Sequence, residues 1–370
     1  MHNPRPERIL MTGDTVGGVW TYTLELAHAL EAQGIEVVLA TMGGLPNEAQ
    51  RSEAAGIPGL RLLTSDFKLE WMDDPWRDVG ASGRWLLDLE RQCRPDVIHL
   101  NSYGHGALPW QNPVVLTAHS CVLSWWEAVK SEPAPADWNR YRRVVAQSMR
   151  AADMLTAPTE AMLRAAEAHY GPGLPDRRVV VPNGRNPERF RAAAKEPLIL
   201  TAGRLWDEAK NVSSVAHVAP RLPWPVYLAG DDRSPDGARS HYEGCHILGR
   251  LPLDDLARWY GRASIYALPA RYEPFGLSAL EAALSGCALV LGDIPSLREV
   301  WQDAAVYVPP DDLHRLEDAI RELIADASRR QAMARCAEFR AGAFTPERMV
   351  EGYLDVYRAA AASRRAECFS

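Results

Sequence analysis

In the stretch RYEPFGLSALEAALSG, two glutamates, Glu273 and Glu281, stand eight positions apart around a Phe-Gly-Leu turn. Carboxylates so placed can accept hydrogen bonds from the hydroxyls of a polyhydroxylated ligand. Ser278 and Glu281 also spell S-x-x-E ahead of an apolar run, the signature of a capping box, which would assign Glu281 to a helix end. That assignment leaves Glu273 without a role. Gly276 lets backbone approach a ligand closely. A helix starting around Leu277 or Ser278 would turn unsatisfied N–H groups and roughly half a unit of positive charge outward, a setting that suits phosphate. Further upstream, TAGRLWDEAKN places Arg204 and Lys210 six apart after a strand-like run. A planar guanidinium fork and a compact ammonium are both phosphate-binding groups. Only four of the 41 basic residues are lysines (Lys68, Lys130, Lys195, Lys210), so a lysine at position 210 is a departure from the chain's habit. Hydroxyl acceptor, phosphate-binding turn, hydroxyl acceptor is also the order of groups along a nucleotide sugar, which has hydroxyls at both ends and phosphates between them.

The first half of the chain offers fewer candidates. TGDTVGGVW reads G-x-x-x-G-G instead of the G-x-G-x-x-G dinucleotide fingerprint, and the strand-like run after it ends in Ala40-Thr41-Met42 with no acid for a ribose. A nicotinamide dehydrogenase is therefore disfavoured, and Gly17 and Gly18 remain as a turn bringing backbone close to a ligand. His119 in VVLTAHS falls at a strand end and is a candidate for a cleft role, whereas His99 in DVIHLNS reads more readily as structural. Asp14 in the glycine turn and Trp125 and Trp126 shortly after His119 are candidates for contacting an acceptor, although ordinary packing explains the tryptophans equally well. RYRRVVAQSMR (140–150) is a short basic helical segment that suits solvent better than an anionic membrane surface.

These residues need a scaffold that gathers strand ends. Buried-strand patterns recur as RILMTG, IEVVLAT, DVIHL, VVLTA, MLTAP and VVVP, alternating with helical spacing such as VWTYTLELAHALEAQ. After the polar, proline-punctuated segment PNGRNPERFRAAAKEP the pattern resumes with LILTAG, VYLAG, CHILG, SIYALP, ALVLG and AVYVP. Such alternation implies open parallel sheets covered by helices, with ligands at the carboxyl ends of the strands. At 370 residues two domains are expected, bounded at 1–185 and 186–345. A helical tail of about 346–370 need not belong to the second. The formal net charge of −7 weighs against nucleic-acid binding. The six cysteines are scattered without a C-x-x-C pair, which points to reduced thiols and no zinc site. No apolar run approaches the ~20 residues of a membrane span, and MHNPRPERILMTG carries no leader pattern. A cytoplasmic enzyme is the expectation.

Taken together, GGVWTYTLELAHALEAQGIEVVLAT, PDVIHLN, the TAHS turn, VPNG, AGRLWDEAKN, LAGDD and RYEPFGLSALEAALSGCALVLGDIPSLREV resemble glycosyltransferase family 4, retaining enzymes of the GT-B fold. The resemblance runs over nearly the whole chain, and the Glu-x7-Glu element with Gly-Arg-x5-Lys upstream is its most specific part. It implies an α/β fold of two Rossmann-like domains facing a cleft, with the tail helix crossing back to the first. It implies that Arg204 and Lys210 bind the diphosphate and stabilise the departing nucleotide. Glu273 would contact the transferred sugar, backbone at Phe275, Gly276 and Leu277 would meet sugar and phosphate, and Glu281 would bind the ribose. His119 would sit beside the transferred sugar, and Gly17-Gly18 would close over the phosphates. Neither metal nor other cofactor is implied. The donor would be a nucleotide diphosphate sugar, UDP before GDP, and the acceptor a hydroxyl on a glycan, a lipid-linked glycan or a small molecule. Asn186 and Asp232 depart from the family's usual Asp and Gly. The alternatives are a nucleotide-sugar epimerase of the same fold and a non-catalytic sugar-binding subunit.

Overall fold

The computed structural model describes residues 5–232 and 242–368. Strands such as RILMT are apolar without alternation, so both of their faces must be covered, and this dictates a parallel sheet between helical layers. Ile9, Leu10 and Met11 are accordingly fully buried. The chain divides into two compact units. One comprises the residues up to Glu127, Glu132–Gly184 and the chain from Pro346 onward; the other comprises Ala128–Ser131 and Arg185–Thr345.

The first unit holds β1 (Arg8–Asp14), β2 (Glu36–Met42), β3 (Leu60–Thr64), β4 (Val97–Leu100), β5 (Val114–Thr117), β6 (Met154–Ala157) and β7 (Arg178–Val180). They form one sheet in the order β3-β2-β1-β4-β5-β6-β7, with every pairing parallel. Between them run α1 (Gly18–Glu31), α2 (Glu48–Ala55), α3 (Trp76–Cys93), α4 (Val122–Lys130), α5 (Asn139–Ala151) and α6 (Glu160–Tyr170). The strand β3 carries no sequence signal of its own: LRLLT is an edge strand with no residue fully buried and with Arg61 and Thr64 exposed, so it lacks the uninterrupted apolar run of its neighbours.

The second unit holds β8 (Glu196–Ala202), β9 (Val226–Ala229), β10 (Cys245–Gly249), β11 (Ala263–Leu268), β12 (Ala288–Gly292) and β13 (Val306–Val308), ordered β10-β9-β8-β11-β12-β13 and again all parallel. Its helices are α7 (Val212–Val218), α8 (Leu253–Arg262), α9 (Leu277–Leu284), α10 (Pro295–Trp301), α11 (Leu313–Ala325) and α12 (Ala327–Ala341). Two apolar clusters cover the two faces of this sheet, one around Leu200, Tyr266, Leu280, Leu289 and Trp301, the other around Ile199, Val215, Leu228, Val290 and Ile320.

The tail helix α13 (Pro346–Cys368) belongs to the first unit, where it packs on α1 and on β5 and β6. A buried polar network fastens it. The Tyr357 hydroxyl lies 2.7 Å from His99 Nδ1, and His99 Nε2 lies 2.8 Å from Thr117 Oγ1. Thr117 in turn meets Thr156 at 2.8 Å and the Tyr353 hydroxyl at 3.3 Å. Every one of these groups is buried, so each would be left with an unsatisfied polar atom if the helix lifted away.

Burial disfavours the imidazolium in this unit. It pushes His99 down to about 3, His105 to about 4 and His119 to about 3. Each lies below its unfolded value of about 6.5, so the unfolded chain binds more protons between the two values. Stability therefore falls as pH drops through that window, by up to about 1.4 kcal/mol per pH unit for each histidine. Urea unfolding of the wild type at pH 7 and pH 5.5 is expected to show this loss, and His99→Gln is expected to make the dependence shallower. Equal slopes for wild type and variant would contradict the assignment.

Candidate functional site

In an open parallel sheet the crevice for a ligand opens where strand order reverses. In the second unit that point lies between β8 and β11, because β9 and β10 extend from one side of β8 and β12 and β13 from the far side of β11. The segments leaving those two strands carry Arg204 and Lys210 on one and Glu273 and Gly276 on the other. The strand ends are pressed close together: a Cβ on Gly230, at φ 143°, would lie 1.7 Å from the Gly203 carbonyl oxygen, so only glycine fits there.

Hydrogen bonds knit the two loops into one piece. Asn211, itself in a left-handed conformation, donates from Nδ2 to the carbonyls of Pro269 (2.9 Å) and Pro310 (2.7 Å). The Arg271 amide donates to the Ala209 carbonyl at 2.8 Å. Held in this way, Lys210 places its ammonium 2.6 Å from Glu273 Oε2, with both side chains largely buried. The other oxygen of Glu273 accepts the Gly276 amide at 3.1 Å, and its carbonyl accepts the Ser296 hydroxyl at 2.6 Å. The Arg204 guanidinium donates to Asp207 Oδ2 at 2.7 Å and lies over the Trp206 ring at 5.5 Å. Burial opposes ionisation of Asp207, but the charges of Arg204 and Lys210 outweigh it and hold the carboxyl below its ordinary range.

The helix α9 begins at Leu277, and its N-cap is Gly276 at φ 91° with no side-chain cap. This corrects the capping-box reading. Ser278 lies inside the first turn, where its Oγ sits 2.8 Å from the Tyr266 hydroxyl, and Glu281 reaches away to Arg185. A left-handed N-cap explains the failure: glycine turns the chain into the helix two residues before serine could. By contrast α11 and α12 are closed by Asp312 and Asp326. Among the described residues no side chain therefore caps the α9 amides at the mouth of the switch point, apart from the Glu273 carboxylate on the Gly276 amide. Phe275 turns its ring inward, edge-on to Phe344 at 5.4 Å, so it can offer a ligand backbone only.

Glu281 forms a buried ion pair, Oε1 to Arg185 Nη2 at 2.8 Å, with side-chain exposures of 8% and 3%. The Arg185 guanidinium lies over Phe190 at 4.9 Å, and its amide donates to the Phe344 carbonyl at 3.1 Å. Sequence reasoning missed Arg185 because its partner is remote in the chain. It also missed Asp207, for which the i, i+3 spacing to Arg204 was the available signal.

The remaining candidates lie in the first unit, whose strand order reverses between β1 and β4. Asp14 ends β1 and accepts the amides of Val16 (3.0 Å) and Gly17 (3.3 Å), which shapes the turn into α1. Gly17 is the N-cap of α1, again without a side-chain cap, and Gly18 is exposed. Neither glycine has a left-handed φ, so their freedom there concerns space for an approaching group. His119 follows β5; its Nε2 lies 2.8 Å from Asn101 Oδ1, and its ring meets Tyr22 edge-on at 4.4 Å. Asn101, after β4, is itself fixed by donating from Nδ2 to the Thr12 carbonyl at 2.7 Å. Trp125 and Trp126 sit half-buried on α4 with their rings edge to face at 6.0 Å. His99 faces none of these openings and is consumed by the α13 network. Among the described residues no group of three or more His, Cys, Asp or Glu side chains could hold a metal ion, and no helix is long and apolar enough to cross a membrane.

Comparison with known proteins matches both halves of this arrangement. Residues 16–189 match the family model described as Glycosyltransferase Family 4, and residues 196–326 match Glycosyl transferases group 1. The chain is 28% identical to a glycogen synthase of Mycobacterium tuberculosis over 367 residues, covering 88% of this chain and 86% of that one. Sucrose-phosphate synthase from Thermosynechococcus elongatus superposes with a TM-score of 0.81 at 18% identity, covering 96% of this chain and all of that one. Anabaena Alr3699/HepE, solved in complex with UDP and glucose, gives 0.73 at 13% identity, covering 95% and 99%. These likenesses establish a GT-B fold of two Rossmann-like parallel-sheet domains. The chain belongs to glycosyltransferase family 4 and is a glycosyltransferase.

Proposed function

We propose that the protein transfers a hexosyl group from a nucleotide diphosphate sugar to an acceptor hydroxyl, with retention at the anomeric carbon and without a metal. The observation that carries this reading is the Lys210–Glu273 pair at the β8/β11 switch point, beside Arg204 and the open amides of α9. Arg204, Lys210 and the α9 N-terminus supply the positive charge that a departing diphosphate needs, and such preorganised charge lowers the barrier where negative charge develops. Two fixed cations also do what a divalent metal would otherwise do for that group, which supports metal-free transfer. UDP is the favoured nucleotide and GDP the next; support for UDP comes from its presence in the related HepE structure.

Glu273 is assigned to the hydroxyls of the transferred sugar and Glu281 to the ribose. A front-face route fits Glu273 better than covalent catalysis does. Its oxygens are engaged by an ammonium at 2.6 Å and an amide at 3.1 Å, and a carboxylate so held is a poor nucleophile. In the front-face route the acceptor oxygen bonds to the anomeric carbon on the side from which the diphosphate leaves, and the acceptor proton passes to the departing phosphate oxygen. Asp14, His119, Gly17 and Gly18 remain candidates in the first unit for sugar, acceptor or phosphate contacts, with Trp125 and Trp126 as an acceptor platform. The relatives' names differ in their products, so the acceptor is assigned no further than a hydroxyl compound.

In the empty protein the diphosphate must compete with Glu273 for Lys210. Glu273→Gln removes the competing charge while keeping an oxygen for the Gly276 amide. Calorimetric titration is expected to show nucleoside diphosphate binding several-fold tighter in this variant, while transfer from the best donor in a nucleotide-sugar panel falls by about a hundredfold or more. Weaker diphosphate binding in Glu273→Gln would contradict the arrangement. Arg185→Ala leaves the buried Glu281 carboxylate uncompensated and is expected to destabilise the fold by about 3–5 kcal/mol, read from the urea midpoint. The double variant Arg185→Met/Glu281→Leu is expected to recover most of that stability but not the nucleotide affinity. Recovery of both would remove Glu281 from the ribose site.

A further inference from the structure

The helix α5 carries Arg140, Arg142, Arg143 and Arg150 and no acid over Asn139–Ala151. One side of it is buried through Tyr141, Val145 and Met149, which leaves Arg142, Arg143, Gln147 and Arg150 exposed along the other. Arg142 and Arg150 are two turns apart, about 12 Å along the axis, and Ala146 between them leaves room above the helix. The carboxyl end of α6 closes the other side. The result is a pocket of about 280 Å³, lined chiefly by Arg142, Arg143, Gln147, Arg150 and His169.

The charges around this pocket are unusual for this protein. Nearby arginines are neutralised: Arg164 pairs with Glu160 at 3.8 Å, and Arg178 with Glu167 at 3.2 Å. Among the described residues no carboxylate comes within 4 Å of Arg142 or Arg143, and Arg140 is taken up by stacking at 4.4 Å on Trp76. Arg150 is fixed in place, donating from Nη2 to the carbonyls of Tyr170 (2.9 Å) and Pro172 (3.3 Å), which offsets the negative end of α6. His169 lies 3.1 Å from Glu127, whose side chain is largely exposed, and Glu167 on α6 is taken up by Arg178. An anchored guanidinium at one end and two uncompensated ones at the other, around a cavity the size of a small phosphorylated molecule, form a cradle for an oxyanion.

We infer that this pocket binds a phosphate ester, with Arg142 and Arg143 as its principal ligands and Arg150 at its far end. The site lies within the first unit and does not rest on the donor reading given above. The same chemistry could be presented by a soluble phosphate ester or by a phospholipid headgroup, and the test separates these sources. Inorganic phosphate is titrated into the full chain at constant ionic strength, with chloride as the control anion, and binding is followed by calorimetry and thermal shift. The same is done for Arg142→Gln/Arg143→Gln and, to account for phosphate at the donor site, for Lys210→Ala. Vesicles of phosphatidylcholine with and without phosphatidylglycerol form the second arm.

The expected result is saturable phosphate binding that weakens roughly tenfold or more in Arg142→Gln/Arg143→Gln and persists in Lys210→Ala. Both arginines are exposed and outside the donor machinery, so folding and donor turnover are expected to be unchanged. Association with phosphatidylglycerol vesicles that the double substitution abolishes would identify a headgroup as the source. Phosphate binding without vesicle association would identify a soluble ester. If phosphate acts no differently from chloride, or if its binding is lost in Lys210→Ala and kept in the double variant, the inference is overturned.

Discussion

The ammonium of Lys210 and the carboxylate of Glu273, 2.6 Å apart, join the loop leaving β8 to the loop leaving β11, and the arrangement of the second unit serves that junction. Two buried charges of opposite sign tolerate each other's desolvation only when the geometry is held well. Here it is held by the Asn211 side chain, which binds the two loops together, and by glycines at 203 and 230, which let the strand ends crowd. The same logic recurs beside it. Arg204 is paired with Asp207 and Arg185 with Glu281, so the site's cations are all presented in balanced pairs. On the proposed reading, a diphosphate entering such a site would meet positive charge that is already oriented, and its binding would be coupled to the release of a carboxylate.

Two of the four lysines in this arginine-rich chain follow from the same physics. An ammonium is a compact point charge, whereas a guanidinium is a planar fork. Lys195 shows what the compact group allows: Nζ donates to the carbonyls of Tyr260 (3.2 Å), Ala263 (2.8 Å) and Ser285 (2.6 Å), a pyramidal cage that a planar group would not fill. Lys210 likewise needs to reach one carboxylate oxygen in a confined space. The scarcity of lysine was thus an informative signal, although it marks a geometric demand and not only a functional one, since Lys195 is structural.

Much of the fold was legible because buried parallel strands announce themselves as apolar runs. RILMTG, LILTAG and SIYALP all coincide with central strands. The strand at Leu60–Thr64 was not legible, because an edge position lets Arg61 face solvent and breaks the run. At the site, the glycine turn and the position of Arg204, Lys210 and Glu273 at strand ends could be read from local pattern. The capping box could not be judged that way, since whether Ser278 caps α9 depends on the left-handed Gly276 before it. Pairings such as Arg185 with Glu281, or His99 with Tyr357, join residues that are distant in sequence and leave no periodic trace. Family membership came from several short segments acting together, while the side-chain partnerships that tune the site needed the tertiary structure.

The central claim is that the diphosphate of the donor is received at the β8/β11 switch point by Lys210, Arg204 and the amides of α9. A crystal structure of the protein with a bound nucleoside diphosphate tests it most directly. The account predicts phosphate oxygens within hydrogen-bond distance of Lys210 Nζ, the Arg204 guanidinium and the amides at the start of α9, with the Lys210–Glu273 contact lengthened from 2.6 Å. A nucleotide bound elsewhere, with that contact unchanged, would contradict it.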